Sequence, residues 1–443
     1  MTTGTEIDAD LRPVLPLTAE VNAAGHLAIG GCDAVELARE FGTPLYVFDE
    51  ADLRDRCREY VREFSARLPD VGVLYASKAY IGKALAQLLA DEGLGLDVVS
   101  GGELAIARVA EFPLDRVYFH GNNKGREELA EAVAAGIGRV VIDNFRDIEL
   151  LDEVAREAGV RQPVLLRVTP DVDPHTHSHI TTGVLDSKFG FALAEGQAEE
   201  AMKRALAAPN LDVVGVHCHI GSQLFETEPY AAAIEKTLAF AADMRRHGLN
   251  LREFSPGGGI GIQYTRHEGP PPLATFAETI ATAIKGACAR LGLEIPRVTV
   301  EPGRSIVGRA GVALYSVGSR KDVPGVRTYV AVDGGMADNI RPAIYDAKYE
   351  ALAAGRPLAA LEELVTVVGK YCESGDVLVR DVRLPHLEAG EVLAIPASGA
   401  YCLSMASNYN AALKPPIVFV RDGKARLVRR RETYADLLAT EVD

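Results

Sequence analysis

Three short segments of this chain carry side chains that could act together as a reactive site. Lys78 ends the apolar run of VLYASKAY, and loss of water around a lysine favours the neutral amine, which attacks a carbonyl to form a Schiff base. The glycine-rich run Ser255–Gly261 brings backbone N–H groups close to an anion and suits a phosphate. In EPGR, Glu301 could keep an aromatic nitrogen protonated, and Arg304 offers a planar fork for a carboxylate. Each pattern alone is weak, so position in the fold decides its meaning.

A repeated unit between residues 71 and 304 places these segments. The unit is a short apolar run, a polar or glycine-rich break and an amphipathic helical stretch. The eight apolar runs are Val71–Ser77, Gly95–Ser100, Arg116–Gly121, Arg139–Asp143, Pro163–Thr169, Val213–Ile220, Leu251–Pro256 and Arg297–Glu301. Residues at or just past their ends are Lys78, Ser100, His120, Asn144, Arg167, His219, Gly257–Gly259 and Glu301. Eight strands each followed by a helix predict an α/β fold, a (β/α)8 TIM barrel with its active site at the C-terminal rim. Ordinary polar loops are the alternative, but they do not explain this succession of reactive groups.

The rest of the chain predicts a second domain. After about residue 310 strands follow one another without long helices, which indicates a C-terminal all-β domain over residues 311–443. The early segment 27–48 is too short to fold alone, so we expect it to complete that domain. Residues 49–310 would form the barrel, and residues 1–26 a flexible lead.

Composition excludes several classes of partner. Lys and Arg number 47 against 62 Asp and Glu, and the net charge of −15 repels nucleic-acid phosphates and anionic lipid. No run reaches 18 uninterrupted apolar residues, and the N-terminal stretch lacks a basic region followed by an apolar core. The six cysteines are irregularly spaced and include no CxxC pair. We therefore expect a cytoplasmic protein that binds neither membrane nor nucleic acid.

Two histidine groups raise the question of a metal site. His175, His177 and His179 lie in a long loop, whereas His217 and His219 alternate on the sixth predicted strand and would face the same side. No set of carboxylates at a matching strand spacing completes either group. The sequence therefore predicts no metal.

Ten motifs, in order along the chain, resemble those of diaminopimelate decarboxylases, which are pyridoxal-phosphate-dependent enzymes of the alanine-racemase-like fold type. The motifs are YASKAY, LGLDVVSGGEL, FHGNNK, HTHSHITTGVLDSKFG, VGVHCHIGSQ, GGGIGI, EPGRS, GGMADNIRPAIYDAKYEA, VGKYCESGDVL and GAYCLSMASNYN. The resemblance runs from about Gly30 to Asn410, nearly the whole chain. The shared order makes the resemblance far more specific than any one motif.

The resemblance implies roles for particular residues. Lys78 would form the internal aldimine with pyridoxal 5′-phosphate, His219 would stack on its ring, and Glu301 would bind the pyridine nitrogen. The residues implied to hold the cofactor are Lys78, His219, Ser222, Gly257, Gly258, Gly259, Glu301, Pro302, Gly303, Arg304 and Tyr401. Those implied to bind substrate are Arg304, Arg341, Tyr345, Glu373 and Tyr401, with the first three on the distal carboxylate. The implied catalytic residues are Lys78, His219, Glu301 and the proton donor Cys372.

The resemblance also implies a reaction and an assembly. The reaction would convert meso-2,6-diaminopimelate to L-lysine and CO2 through an external aldimine and a quinonoid, the last step of lysine biosynthesis by that pathway. Active sites would be shared in a homodimer, with Tyr345, Cys372 and Glu373 supplied by the partner of the subunit that supplies Lys78. The alternatives are a decarboxylase of another basic amino acid or of carboxynorspermidine, an amino-acid racemase, and a non-catalytic binding protein. Two arginines favour a substrate with a distal carboxylate.

Overall fold

The computed structural model describes residues 7–172, 188–267 and 269–442. The chain forms two compact units. The barrel unit comprises Arg56–Gly261 and Pro270–Gly303, and the β unit comprises Met1–Asp55, Ile262–Gly269 and Arg304–Asp443. The sequence instead predicts a barrel over residues 49–310. Nothing in the sequence pattern indicates that Ile262–Gly269 belongs to the β unit. Among the helices of the described residues, none has the length and apolar character needed to span a membrane.

The barrel unit contains a closed ring of eight parallel strands, which confirms the predicted TIM barrel. In chain order the barrel strands are Val71–Ala76, Gly95–Val98, Val117–Phe119, Arg139–Ile142, Gln162–Thr169, Leu211–His217, Glu253–Gly257 and Arg297–Val300. Each strand pairs with the next, and the eighth pairs with the first. A two-residue strand, Phe191–Ala192, lies beside the fifth. The predicted runs differ from these strands by only a few residues at each end.

Helices alternate with the barrel strands. They are Glu50–Ser65, which precedes the first strand, then Lys83–Asp91, Gly101–Val109, Arg126–Ala134, Phe145–Ala158, Gln197–Ala207, Glu228–Met244 and Leu273–Leu291. Short 3-10 turns lie at Ser77–Ala79, Leu114–Arg116, Ala194–Gly196 and Arg245–His247.

The helix Phe145–Ala158 illustrates how sequence sets these bounds. Asn144 precedes it and its side chain accepts a hydrogen bond from the Asp147 N–H at 3.0 Å, which satisfies one of the unpaired donors of the first turn. Gly159 ends it with φ of 68°, a left-handed conformation that glycine adopts readily. Its buried apolar face consists of Ile148, Leu150, Leu151, Val154 and Ala155. Ser100 caps Gly101–Val109 in the same way. Two of the eight polar strand ends are therefore helix caps.

The β unit is built around a mixed sheet. The strands of that sheet are Leu45–Asp49, Gly311–Val323, Arg327–Val332, Leu352–Ala353, Glu363–Val368, Val377–Leu384, Val392–Ile395, Ile417–Arg421 and Lys424–Arg429. A separate antiparallel sheet consists of Glu20–Val21, Leu27–Ile29 and Cys32–Asp33. The helices and turns of the β unit are Arg12–Val14, Ala34–Phe41, Arg304–Val307, Arg341–Tyr345, Leu403–Met405, Tyr409–Ala411 and Tyr434–Leu438. Leu45–Asp49 runs antiparallel to Gly311–Val323 and parallel to Ile417–Arg421. The prediction that an N-terminal segment completes the C-terminal β domain is confirmed.

The first described residues differ from the lead that the sequence predicts for residues 1–26. Ile7, Leu11, Val14 and Leu15 are buried in one cluster with Leu45 and other apolar side chains of the β unit. Prolines and short spacing hide this pattern in the sequence, but apolar side chains that cover a sheet face gain stability from lost water contact.

Candidate active site

Alternation along the barrel strands builds two inward layers of side chains. The lower layer is apolar apart from one hydroxyl and contains Leu74, Tyr118, Val141, Leu165 and Val214. Because every second residue of a strand faces the same side, the next inward-facing residues form a second layer toward the C-terminal rim, and His120, Asp143 and Arg167 lie two positions after Tyr118, Val141 and Leu165. On the sixth strand the register shifts between Val213 and Gly215, and the residue of this second layer is His217. That layer, here called the polar layer, consists of Asp97, His120, Asp143, Arg167, His217, Ser255 and Glu301. All but Arg167 are buried.

Glu301 is the best-connected member of the polar layer. His217 Nε2 lies 3.0 Å from Glu301 Oε2, and Ser255 Oγ donates a hydrogen bond of 2.9 Å to Oε1. His120 Nε2 lies 3.6 Å from the same Oε1. Burial by itself raises the pKa of Glu301, but the electrostatic interactions with His217 and His120 outweigh it and hold that pKa below its usual range. Glu301 is therefore a buried carboxylate that stays ionised.

Asp97 and His120 are neighbours of Glu301 in the polar layer. His120 Nε2 lies 3.7 Å from Asp97 Oδ1, and the His120 ring meets the His217 ring edge-on at 5.1 Å. Burial, followed by the nearby Glu301 charge, raises the pKa of Asp97. Burial lowers the pKa of His120, so its imidazole is neutral at pH 7.

His120, His217 and Glu301 also bear on the metal question. One ligand atom from each lies within 4.8 Å of the other two. The His217–Glu301 hydrogen bond pairs two of these atoms directly, and the prediction of no metal stays a prediction. His175, His177 and His179 lie outside the described residues.

Lys78 lies on the 3-10 turn Ser77–Ala79 that follows the first barrel strand, and its side chain is exposed. The prediction that the barrel interior removes water from the Lys78 amine is wrong. The turn places Lys78 beyond the inward-facing layers of side chains, at the exposed rim of the barrel. It is still electrostatically coupled to the site. Burial, and after it the positive charge of Lys78, lowers the pKa of His219 at the rim.

The segment after the eighth strand packs against the strand that leads to Lys78. Pro302 O accepts a hydrogen bond of 2.9 Å from the Ala76 N–H. A Cβ on Gly303 would lie 3.0 Å from both Cβ and O of Ala76, so this close approach leaves little room for a larger residue. Glu301 and Lys78 are thereby brought to neighbouring strand ends.

The glycine triplet has a different physical reason from the one that sequence suggests. A Cβ on Gly258 would lie 1.9 Å from the Glu301 carbonyl oxygen, and one on Gly259 would lie 2.2 Å from that of Gly221. Both distances are far below contact, so side chains at these positions would force neighbouring backbone apart. The glycines primarily allow the seventh strand end to pack against its two neighbours.

The backbone N–H groups that could bind an anion lie at the last glycine of the triplet and at the residue after it, not at the central glycine. The N–H groups of Gly257 and Gly258 are hydrogen bonded to Ser255 Oγ and His219 Nδ1, at 3.1 and 3.2 Å. The N–H groups of Gly259 and Ile260 have no hydrogen-bond partner in the described part of the chain. They remain available to an external acceptor such as phosphate. Ser222, also expected there, is exposed on the loop after the sixth strand.

The β unit holds its own group of reactive side chains, here called the arginine–tyrosine cluster: Arg304, Arg341, Tyr264, Tyr349 and Tyr401. The Arg304 guanidinium lies 4.7 Å from the Tyr401 ring centre and donates to Tyr264 OH at 2.6 Å. The Arg341 guanidinium lies 4.6 Å from the Tyr264 ring centre and donates to Tyr349 OH.

Arg341 is the most informative member of this cluster. Arg341 is 6% exposed, and among residues 7–172, 188–267 and 269–442 it contacts Tyr264 and Tyr349 but pairs with no carboxylate. A buried cation without an anion is costly, since aromatic faces and one hydroxyl replace only part of its hydration. The cluster is suited to binding an anion.

Three other predicted site residues lie on the surface of the single chain. Tyr345, the last residue of Arg341–Tyr345, is 63% exposed. Cys372 and Glu373 are exposed, and the other five cysteines are buried. The Cys372 N–H donates to Asn410 Oδ1 at 3.1 Å, which fixes the backbone beside the thiol.

Sequence reasoning missed several residues of these groups. Asp97 and Ser255 carried a usable signal, since each occupies an inward position of a predicted strand. Tyr264 carried none: it follows the glycine run by a few residues, and only the folded chain brings it to Arg304 and Arg341.

Known proteins are similar in sequence to this chain over almost its whole length. Residues 51–308, more than half of the chain, match the family model described as "Pyridoxal-dependent decarboxylase, pyridoxal binding domain". The diaminopimelate decarboxylase of Bacillus subtilis is 49% identical over 426 residues, which cover 96% of this chain and 97% of that protein. The chain belongs to the diaminopimelate decarboxylase family.

Solved structures of the diaminopimelate decarboxylase family share the fold. The M. jannaschii enzyme, in co-complex with L-lysine, superimposes with a TM-score of 0.91 at 38% identity and covers 96% of this chain and 98% of its own. The Helicobacter pylori enzyme, also complexed with L-lysine, gives a TM-score of 0.82 at 33% identity, with 91% and 98% covered. The combination of barrel and additional mixed sheet is therefore the architecture of the family.

The described residues fit the pyridoxal phosphate that the family uses. Lys78 offers an accessible amine for the aldehyde, and the Gly259 and Ile260 N–H groups are open to the phosphate. Glu301 offers a buried, ionised carboxylate for the ring nitrogen. These three features belong to one unit, at neighbouring strand ends.

Proposed function

We propose that this protein decarboxylates meso-2,6-diaminopimelate to L-lysine and CO2, the last step of lysine biosynthesis by the diaminopimelate pathway. The observation that carries the proposal is the polar layer, in which Glu301 is buried yet ionised at the same rim as Lys78. Pyridoxal phosphate, when bound there, supplies an electron sink for the bond that loses CO2. The near-full-length relatives give the substrate class.

The chain's own residues supply binding and charge. Lys78 holds the cofactor aldehyde, and Glu301 keeps a proton on the ring nitrogen, because an adjacent anion favours the protonated ring. Gly259 and Ile260 donate to the phosphate, with Ser222, Gly257, Gly258, Pro302, Gly303, Arg304 and Tyr401 completing the cofactor site. His219 would stack on the ring, and its lowered pKa would keep the imidazole neutral beside a positively charged ring system.

Substrate choice rests on the arginine–tyrosine cluster. A distal carboxylate would supply the anion that buried Arg341 does not find among the described residues, and charge-assisted pairs of this kind orient a ligand as well as bind it. Arg304 and Tyr345 join Arg341 in this role, Tyr401 lines the substrate site, and Glu373 takes the distal amino group. A substrate whose distal end carries only an amine would need an acid where these arginines lie.

We further propose a homodimer with shared active sites. Tyr345, Cys372 and Glu373 are exposed on the single chain, as expected of residues that act in a partner's site. Cys372 would deliver the proton to Cα after CO2 leaves. A cytoplasmic location suits a thiol that must stay reduced, and none of the six cysteines forms a disulfide.

A substrate panel tests the proposal. We expect CO2 release from meso-diaminopimelate and little from ornithine, lysine or arginine. Arg341→Leu should lower kcat/KM for meso-diaminopimelate by about 100-fold, mostly through KM, because a buried charge-assisted pair is lost. Lys78→Ala should lose both the visible absorption of the bound cofactor and turnover. Faster turnover of ornithine, lysine or arginine than of meso-diaminopimelate would refute the substrate, and a colourless wild-type protein indifferent to pyridoxal phosphate would refute the reaction.

A further inference from the structure

We propose that His217 is a positioning residue for the reaction, whose imidazole N–H holds the Glu301 carboxylate ionised and oriented toward the ring nitrogen of the cofactor. His120 supports the same carboxylate from its other oxygen. The inference rests on the proposed function and deepens it. It gives a role in the reaction to His217 and His120, to which the proposed function assigns neither substrate binding nor stacking on the ring.

The geometry gives both Glu301 oxygens a fixed donor. His217 and Ser255 are register partners on the paired sixth and seventh strands, and each donates to a different oxygen. A carboxylate gripped at both oxygens by adjacent strands cannot rotate without breaking a hydrogen bond. Its remaining lone pairs are therefore held in one direction.

His217 is also placed at a cost that packing does not explain. The residue is 1% exposed, and its Nδ1 has no hydrogen-bond partner among the described residues. An unsatisfied buried nitrogen destabilises a fold, and an apolar side chain would avoid that cost. The contact to Glu301 is what the histidine provides in return.

The histidine expected to stack on the ring lies close by in the chain. His219 lies two residues after His217, just past the end of the sixth strand, so one short segment would supply a residue to the ring face and a donor to the Glu301 carboxylate. His120 Nε2, 3.6 Å from Glu301 Oε1, meets His217 edge-on and limits rotation of its ring.

Removing the donor should change the charge state of Glu301. Burial favours the neutral acid, and the imidazoles oppose it. The titratable and charged groups that face this carboxylate or its neighbours are Lys78, Asp97, Glu103, His120, Arg167, His217, Cys218 and His219. Without His217 the pKa of Glu301 rises. The reaction needs the ionised form, so activity is lost as pH falls through that pKa, and the acid limb moves to higher pH.

The test compares three substitutions at one site with a matched control. His217→Leu removes the donor, His217→Gln keeps a donor near the Nε2 position, and His217→Asn is too short to reach. The control is His386→Leu, which breaks an exposed histidine–carboxylate pair of 2.9 Å with Glu363 in the β unit. Each holoenzyme is assayed for kcat and KM across pH, and the visible spectrum of the bound cofactor is titrated in parallel.

We expect His217→Leu and His217→Asn to lower kcat by about 10- to 100-fold, the loss of one hydrogen bond to a charged group. KM should change less than about twofold, because the substrate makes the same contacts. The acid limb of kcat and the spectral transition should move together to higher pH, His217→Gln should recover part of both, and His386→Leu should match wild type.

A coloured, active wild type with a His217→Leu variant of unchanged kcat and spectral titration would overturn this inference and leave the proposed function standing. If His217→Leu does not fold, the Gln and Asn variants decide, and equal behaviour of the two refutes a donor role. A wild type without cofactor absorption or turnover would refute the proposed function instead.

Discussion

Two buried glutamates in one barrel have opposite surroundings. Glu253, at the start of the seventh strand, is 1% exposed, accepts a hydrogen bond from Tyr118 OH and pairs with Arg139 at 3.1 Å. Glu301, after the eighth strand, is 6% exposed and contacts imidazoles and a hydroxyl, with no guanidinium or ammonium hydrogen bonded to it among the described residues.

The comparison distinguishes a glutamate that stabilises the fold, Glu253, from one that is suited to the reaction, Glu301. At the N-terminal end of the barrel strands, here called the floor, the guanidinium of Arg139 neutralises the Glu253 carboxylate. The charge of Glu253 is therefore balanced by another residue of the fold. At the rim, Glu301 stays ionised because of hydrogen bonds with His217 and Ser255 and electrostatic interactions with His217 and His120, and no guanidinium or ammonium group pairs with it among the described residues. Residues at the floor of such a barrel serve stability, and those at the rim serve the reaction.

The largest expected effect comes from exchanging each glutamate for its amide. Glu301→Gln should lower kcat by about 100- to 1,000-fold with little change in stability, because the ring nitrogen loses its anion. Glu253→Gln should leave kcat/KM unchanged and lower the free energy of unfolding by about 1–3 kcal/mol, because partly exposed Arg139 loses its partner. Steady-state kinetics and urea unfolding of both variants measure this. Equal effects on activity would break the comparison.

A smaller effect should separate ring charge from proton delivery. Cys372→Ala is expected to keep the wild-type cofactor spectrum and its pH titration, and to lower kcat by about 10- to 100-fold, because a proton donor is lost but Glu301 is untouched. Turnover is measured as the release of CO2 and L-lysine, and the face of proton delivery is read by NMR of lysine formed in D2O, because the reacting carbon becomes a CH2 group. Wild-type rate and product would remove Cys372 from the mechanism.

The smallest effect on activity is expected at the floor. Tyr118→Phe removes one donor to Glu253 and leaves Arg139 in place, so kcat/KM should stay within about twofold of wild type. The free energy of unfolding should fall by about 1 kcal/mol, the contribution of one buried hydrogen bond. Thermal and urea unfolding give this value, and an activity loss above tenfold would show that the floor is coupled to the rim.

The strand and helix pattern was predictable because burial imposes periodicity on the sequence itself. All eight barrel strands, the β domain and the joining segment around Leu45–Asp49 follow from runs of apolar residues. Residues 7–26 were not predictable, since their few apolar side chains are informative only once a sheet face exists to cover.

Site residues were predictable by chemical type and motif, but not by their surroundings. The sequence named Lys78 and Glu301, yet it predicted a desolvated lysine where the chain has an exposed one. It predicted that the glycines bind an anion, although Gly258 and Gly259 mainly allow the carbonyl groups of neighbouring segments to approach closely.

The amino-acid order alone therefore determined the fold class, the family resemblance and the reactive groups at the strand ends, because these depend on local spacing and residue type. Only the tertiary structure decided which carboxylate is paired with an arginine and which stays available, and which arginine has no carboxylate partner within the described part of the chain. Those properties depend on distances between residues far apart in the chain, and the energy of a buried charge changes steeply over a few ångströms.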